Sequence, residues 1–367
     1  MRECVAFDIE GEDGIEPPLV EGPCRALGVV GGADPAMAIW RWRDQERRFA
    51  AYGRSRHFAV LDACRPRGQL SVFLNSRLAG DGRTAYFGLV ELFPEDAGSV
   101  LEILLNAAED WCGRHGAAVL RGPIAYSTWY PNRFVARELT DQRFPGDSPY
   151  PTWMTQRFLD IGFEVCQEYF SVISEPLVKF VPRIAAAARF AAKRGVRFEQ
   201  LRGTAIARVF PEAHALCQNA FAVNFSFTSI DYREFSSLYG PAHQLPGALA
   251  ISARDAAGNL LGFVFGYEAP GFRTPGDEGV KVAVLKSIAV EPQASALMVG
   301  PALSAEFHRI MSEPPHGCGR VIHALMARQH YALGTGTDLV SPLREYVMLE
   351  RPIVSEPAAP GPQEREL

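Results

Sequence analysis

Long apolar runs are missing from this sequence: none of its 367 residues sits in a stretch approaching the ~20 apolar positions that a membrane helix requires. The start, MRECVAFDIEGEDG, is acidic and lacks the charged-then-apolar order of a secretory leader. No membrane partner and a cytoplasmic location are expected. Runs of Lys or Arg that could follow a nucleic-acid backbone are also absent, and a net charge of −5 opposes such a partner. The local exception is Arg41, Arg43, Arg47, Arg48, Arg54 and Arg56, interrupted by Asp44 and Glu46, which reads as a solvated face. The seven cysteines (4, 24, 64, 112, 166, 217 and 318) include no C-x-x-C pair, and the eight histidines show no ligand spacing, so no metal site is indicated. Reduced, mostly buried thiols are expected. G-x-S-x-G, the P-loop, H-E-x-x-H and a full Rossmann fingerprint are all lacking. GTGTD at 334–338 has neither a preceding strand nor a third glycine.

What is present is an ordinary globular composition, 47% hydrophobic and 22% charged, in a chain long enough for two cores. In the first half, strand-like runs at 24–31, 57–63, 69–78 and 84–92 lead into a helix over 98–115. That helix has its apolar face at Val100, Leu101, Leu104, Leu105, Ala108 and Trp111, and Gly116 ends it. A strand at AVLRGPI, an aromatic loop over 123–153, a helix near 151–161 and the strand EVCQEYFSVIS follow. The second half repeats that order: strand 196–201, helical segments 205–222 and 231–239, strands ALAISAR, LLGFVFGYE and VKVAVLKSIAV, a helix over 301–312, then RVIHALMA and EYVMLER. The reading is an internal duplication. Residues 1–22 form an arm, poorly ordered or an irregular edge segment. The Ala-rich helix PRIAAAARFAAKR serves as an ordered linker, and the tail from Val354 reads as disordered.

The most telling stretch is LKSIAVEPQASALMVGPALSAEF, residues 285–307. Pro292 must end the strand, Pro301 suits a first helical turn, and the turn between them has the layout of an anion cradle. This order of strand, V-x-P, turn, helix, strand and a closing REYVMLER strand resembles the GNAT acyltransferase superfamily, and the two-copy layout is similar to tandem GNAT proteins. Residues 196–352 carry the resemblance well. Residues 24–174 carry it more loosely, through FGLVELFPED, RGPI and RFLDIGFEVCQEY.

The resemblance implies an α/β fold of two tandem domains, each a mixed, mostly antiparallel twisted sheet flanked by helices. It places a first domain at 23–178, a helical linker at 179–195 and a second domain at 196–353. It also implies acetyl-CoA or another acyl-CoA as donor, held at Ile288, Ala289, Val290, Ala296, Met298, Val299 and Gly300. The family's pyrophosphate turn departs here: its basic position falls on Ser295 and its glycines on Ala296 and Met298, with Gly300 two residues later. In the first half, Glu91, Glu95 and Asp96 would repel pyrophosphate, so the second half is the expected donor site.

Within that resemblance Tyr331 is the expected acid; Glu291 and His323 are the candidates for a base, though a lone histidine inside VIHAL is more often a satisfied core residue. Asn224, Thr228, Tyr126, Trp129 and Arg133 are the polar and aromatic candidates for holding a small-molecule amine at the junction of the halves. The expected activity is transfer of an acyl group to that amine by direct attack. Two alternatives stand beside it: a non-catalytic GNAT-derived scaffold with a degenerate loop, and an acyltransferase using a carrier-bound donor.

Overall fold

The computed structural model describes residues 2–7, 35–63, 65–78, 82–130, 132–140, 142–274, 279–328 and 339–353. Two compact units divide the chain: unit 1 is Met1–Phe134, Ser148–Cys166 and Val347–Leu367, and unit 2 is Val135–Asp147 and Gln167–Tyr346. These are not the sequential halves 23–178 and 196–353, because the chain leaves unit 1 for residues 135–147 and returns to it at its end.

In unit 1, β1 (Arg2–Phe7), α1 (Pro35–Phe49), β2 (Gly53–Asp62), β3 (Arg65–Asn75), β4 (Thr84–Leu92), α2 (Ala97–Arg114) and β5 (Val119–Gly122) follow in order. The segment Arg2–Phe7 is a regular strand paired antiparallel with β2, not the poorly ordered or irregular arm read from its acidic composition. The acidic residues that suggested it lie mostly beyond Phe7. β2, β3 and β4 pair antiparallel, and β4 pairs parallel with β5. The arginine-rich stretch forms α1, which buries Trp42, Gln45, Glu46 and Phe49 at helical spacing and leaves Arg41 and Arg47 outward. α2 lays Val100, Leu101, Leu104, Leu105 and Ala108 onto the sheet, as its periodicity predicted.

β6 (Phe134–Glu138) is a strand within what read as a structureless 123–153 loop, and α3 (Thr152–Asp160) and β7 (Glu164–Ser174) follow. α4 (Leu177–Lys193) is helical as expected, yet it is not a linker. Phe180 and Ala191 belong to unit 2's core, and α4 packs along a later helix, α7.

Unit 2 continues with β8 (Arg197–Arg202), a 3-10 turn (Gly203–Val209), α5 (Phe210–Phe221), α6 (Tyr232–Tyr239), β9 (Leu249–Arg254), β10 (Leu260–Glu268) and β11 (Val282–Val290). A 3-10 turn (Pro292–Leu297), α7 (Val299–Ser312), β12 (Arg320–Ala327) and β13 (Val340–Pro352) complete it. β8 through β11 pair antiparallel in sequence order, β11 runs parallel to β12, and β12 pairs antiparallel with β7. β13 begins at Val340, five residues before the expected EYVMLER, and its end at Leu349–Pro352 belongs to unit 1, where it pairs with β5. One face of unit 2's sheet (Val264, Ala283, Leu285) packs on α4 and α7; Phe263, Phe265 and Tyr267 alternate onto the other. Gly266 allows the helix to sit close, since a Cβ there would lie 2.4 Å from the Phe307 ring.

The expected strand 24–31, Cys24, Cys64, Tyr331, GTGTD and the tail from Val354 lie outside the described residues. Cys112, Cys217 and Cys318 are free and buried, and Cys4 and Cys166 are free and half-buried. Among the described residues no helix is long and apolar enough to cross a membrane, and no three His, Cys, Asp or Glu converge on a metal position.

Candidate functional site

Two parallel strands that separate give unit 2 its slot. The β11–β12 ladder ends at Leu285 opposite His323, although β11 runs on to Val290 and β12 to Ala327. Beyond that vertex β11 stays with β10, pairing Ser287, Ile288, Ala289 and Val290 with Phe265, Val264, Phe263 and Gly262. β12 stays with β7, through Met326 to Phe170 and Ala327 to Tyr169. Both strands change register at this level. The β10–β11 ladder shifts at Phe265–Gly266, making Lys286 the extra residue, and the β12–β7 ladder shifts between His323 and Met326. Such bulges bend a strand and re-aim it. A strand's backbone groups alternate between its two neighbours, so each lip of the slot presents N–H and C=O groups that the other strand would otherwise take. Ile288, Ala289 and Val290, expected as donor-binding residues, form one lip.

The turn lies at the open end of that lip. Glu291, half-buried, donates its N–H to Leu261 O and precedes the 3-10 turn. Met298 then stands in the left-handed region at φ 57°, and α7 starts at Val299 with no side chain capping it and no acidic residue in its first turn. The first turn of a helix leaves amides aimed outward with a partial positive charge. Ser295, Ala296 and Met298 are exposed at its entrance. Gly300 has room: an added Cβ would meet only Val290 Cγ2, at 3.5 Å.

Unit 1 repeats the layout with its strands held together. Ile124 N–H donates to Phe87 O at 2.7 Å, and a Cβ at Gly88 would lie 2.7 Å from Ile124 O, so the two chain segments touch backbone to backbone. Past the bulge at Leu89, the Tyr150 hydroxyl meets the Val90 backbone, and burial pushes that phenol well up. At the α2 N-terminus stands Asp96, whose carboxylate makes no hydrogen bond to the helix amides and is held by Arg2 and Arg67 at 2.8 Å each.

Other candidates fall elsewhere. Tyr126 is no surface residue: it is fully buried, and its hydroxyl donates to Glu46 at 2.6 Å. Glu46 also accepts from Ser55 and lies 3.1 Å from His57 Nε2, whose Nδ1 meets Ser71 Oγ at 2.7 Å. Burial pushes the Glu46 carboxyl up, but the His57 ring beside it and the hydrogen bonds from His57, Ser55 and Tyr126 outweigh that and hold it below its usual range. Trp129 and Arg133 are half-buried in the same unit, Arg133 at φ 81° with its N–H on Pro123 O. Asn224 is exposed and Thr228 buried, both between α5 and α6 of unit 2. The five therefore do not share one unit.

His323 is the core histidine expected. Its Nε2 lies 2.9 Å from His308 Nε2, and His308 Nδ1 lies 2.6 Å from Ser304 O. With Nδ1–H donating to that carbonyl, His308 Nε2 accepts and His323 Nε2–H donates. Burial is the first cause of the low His308 value, about 4, and it lowers His323 as well. Sequence reasoning missed the slot's bulges, Lys286 and Leu325, for which a linear sequence carries no signal beyond the strands themselves.

Neither a protein-family model nor a curated protein matches the sequence. Solved structures do match. A tandem GNAT protein from the clavulanic acid biosynthesis pathway covers 97% of this chain and 100% of its own at 13% identity, with a TM-score of 0.53. A probable N-acyltransferase from Enterococcus faecalis covers 96% of this chain and 73% of its own, at 10% identity and a TM-score of 0.56. A GCN5-related N-acetyltransferase from Anabaena variabilis covers 91% and 71%, at 9% identity and a TM-score of 0.52. At these identities the likeness is one of fold, and the fold is the tandem GNAT fold.

Proposed function

We propose that this chain is an acyl-CoA-dependent N-acyltransferase with one donor site, in unit 2. The observation that carries the reading is the separation of β11 from β12 beyond Leu285–His323, ending beside the uncapped start of α7. The residues fit the group: the facing lips offer backbone partners to the amides of a pantetheine arm, and the Val299 and Gly300 amides face its phosphates. Bound acyl-CoA would supply an acyl group activated on sulfur.

The chain's own residues then bind and orient. A backbone N–H of the Ile288–Val290 lip steadies the acyl oxygen as it gains charge. Glu291 accepts the proton that frees the amine. The amine nitrogen forms its bond to the acyl carbon, the carbon–sulfur bond breaks, the departing sulfur takes a proton from an acid, and the second amine proton replaces the one that acid gave. Tyr331, outside the described residues, is the proposed acid. Asn224 is the exposed polar group proposed to meet the acceptor. The acceptor is a small-molecule amine.

A second reading, a binding protein without catalysis, is favoured by Met298: a leucine-sized side chain, 43% exposed, occupies a left-handed position where glycine would let phosphates approach. Thiol release from acetyl-CoA, followed across a panel of amines and amino acids, separates the two. Amine-dependent release supports transfer. Binding without release under every amine supports the second reading.

A further inference from the structure

Three consecutive residues of the segment Val135–Asp147 reach both lips of the unit 2 slot. Pro145 O accepts from the Tyr267 hydroxyl at 2.6 Å, on β10. Gly146 O accepts from Lys286 Nζ at 2.9 Å, and Lys286 is the bulge residue of β11. Asp147 serves β12 through a chain of fixed direction. Its Oδ2 takes Arg344 Nη1 at 2.6 Å and its Oδ1 takes the Tyr346 hydroxyl at 2.7 Å. Because the Tyr346 proton is committed to a carboxylate, Ser171 Oγ, 3.1 Å from the Tyr346 oxygen, must be the donor of that pair. Ser171 Oγ in turn accepts the Leu325 N–H at 3.0 Å.

Leu325 is the point of bending. It and Ala324 oppose the single residue Ser171 in the β12–β7 ladder, and Leu325 holds φ 58°, a conformation that leucine adopts only when held there. Ser171, Tyr346 and Arg344 are buried, and Arg344 also donates to the Thr140 and Gln142 carbonyls. A network this buried has a geometry set by its partners. Gly146 is required by the same arrangement: its φ is 77°, and a Cβ would lie 2.9 Å from the Tyr267 hydroxyl.

We infer that Pro145–Asp147 is a clip that fixes the width of the slot, with Lys286 as its arm to β11 and Tyr346–Ser171 as its arm to β12. These are positioning residues: they act on the donor through the strands they hold. The inference rests on the proposed donor site, and it adds that donor affinity is set by a loop with no contact to the donor.

The test uses the full chain with Ser171→Ala, which cuts one arm, and Lys286→Met, which cuts the other, with Lys286→Arg as the conservative variant that keeps a donor for Gly146 O. Acetyl-CoA dissociation constants are measured by calorimetry, and hydrogen exchange is followed at the Leu325 amide. Each cut should weaken binding on the order of tenfold, about 1.4 kcal/mol. Lys286→Arg should restore it, and Ser171→Ala should also release the Leu325 amide to exchange. Wild-type affinity in both cut variants, with Leu325 still protected, overturns the clip while leaving the donor site standing. Should the wild type bind no acetyl-CoA, the donor site fails, and Leu325 exchange still decides the clip: protection lost in Ser171→Ala supports it and protection kept overturns it. If Ser171→Ala does not fold, the Lys286 pair carries the decision.

Discussion

Acidification from about pH 7.5 to about pH 5 should weaken the fold through His308 and His323. In the folded protein burial holds His308 at about 4 and His323 in the same direction, whereas an unfolded histidine titrates near 6.5. Above the unfolded value both states are neutral and the full stability is present. Between 6.5 and about 4 the unfolded chain binds a proton that the native state refuses, so stability falls with pH at up to about 1.4 kcal/mol per unit for each histidine. For His308 alone the loss at pH 5 is about 2 kcal/mol, a large share of a typical domain's stability, and His323 adds to it in the same direction. The direct contact between the rings at 2.9 Å supports the same sign, because a second proton between them would have no acceptor. Urea denaturation across that pH range, compared with the double variant His308→Gln/His323→Gln, isolates the pair: the variant should be less stable at neutral pH and flatter below it. Parallel pH profiles for the two proteins would refute the reasoning.

Further outcomes follow from the same geometry. Gly266→Ala places a methyl 2.2 Å from Val284 O and 2.4 Å from Phe307, and should cost several kcal/mol, on the order of 3, by urea denaturation. Met298→Gly relieves a left-handed methionine and should raise stability by about 1 kcal/mol while tightening acetyl-CoA binding; weaker binding would count against the turn as a phosphate cradle. Arg344→Met leaves the Asp147 carboxylate buried without its cation and should cost about 3–5 kcal/mol in the same assay.

Much of the fold was legible because period and punctuation agreed. The 84–92 strand, EVCQEYFSVIS and LLGFVFGYE stand where their residues predicted, bounded by turns and glycines. Val290 ends β11 because Pro292 cannot continue a ladder. α1 was not legible, because its six-arginine neighbourhood hid the Trp42, Glu46 and Phe49 stripe behind surface charge. Tyr126 read as a ligand-facing aromatic because its partner Glu46 lies 80 positions away. The slot itself follows from bulges in two ladders, and a bulge is a property of a pair of strands, so neither Lys286 nor Leu325 announces it in the chain.

One donor per chain, bound in unit 2, is the claim on which the rest depends. Titration calorimetry of the full chain with acetyl-CoA, repeated with Gly300→Asp, tests it. The substitution puts a carboxylate at the second residue of α7, where it favours the helix but sets a negative charge in the proposed cradle. A stoichiometry near one for the wild type, with binding lost in a Gly300→Asp protein of undiminished stability, is the predicted result. Two donors per chain, or a Gly300→Asp protein that binds as tightly as the wild type, would contradict it.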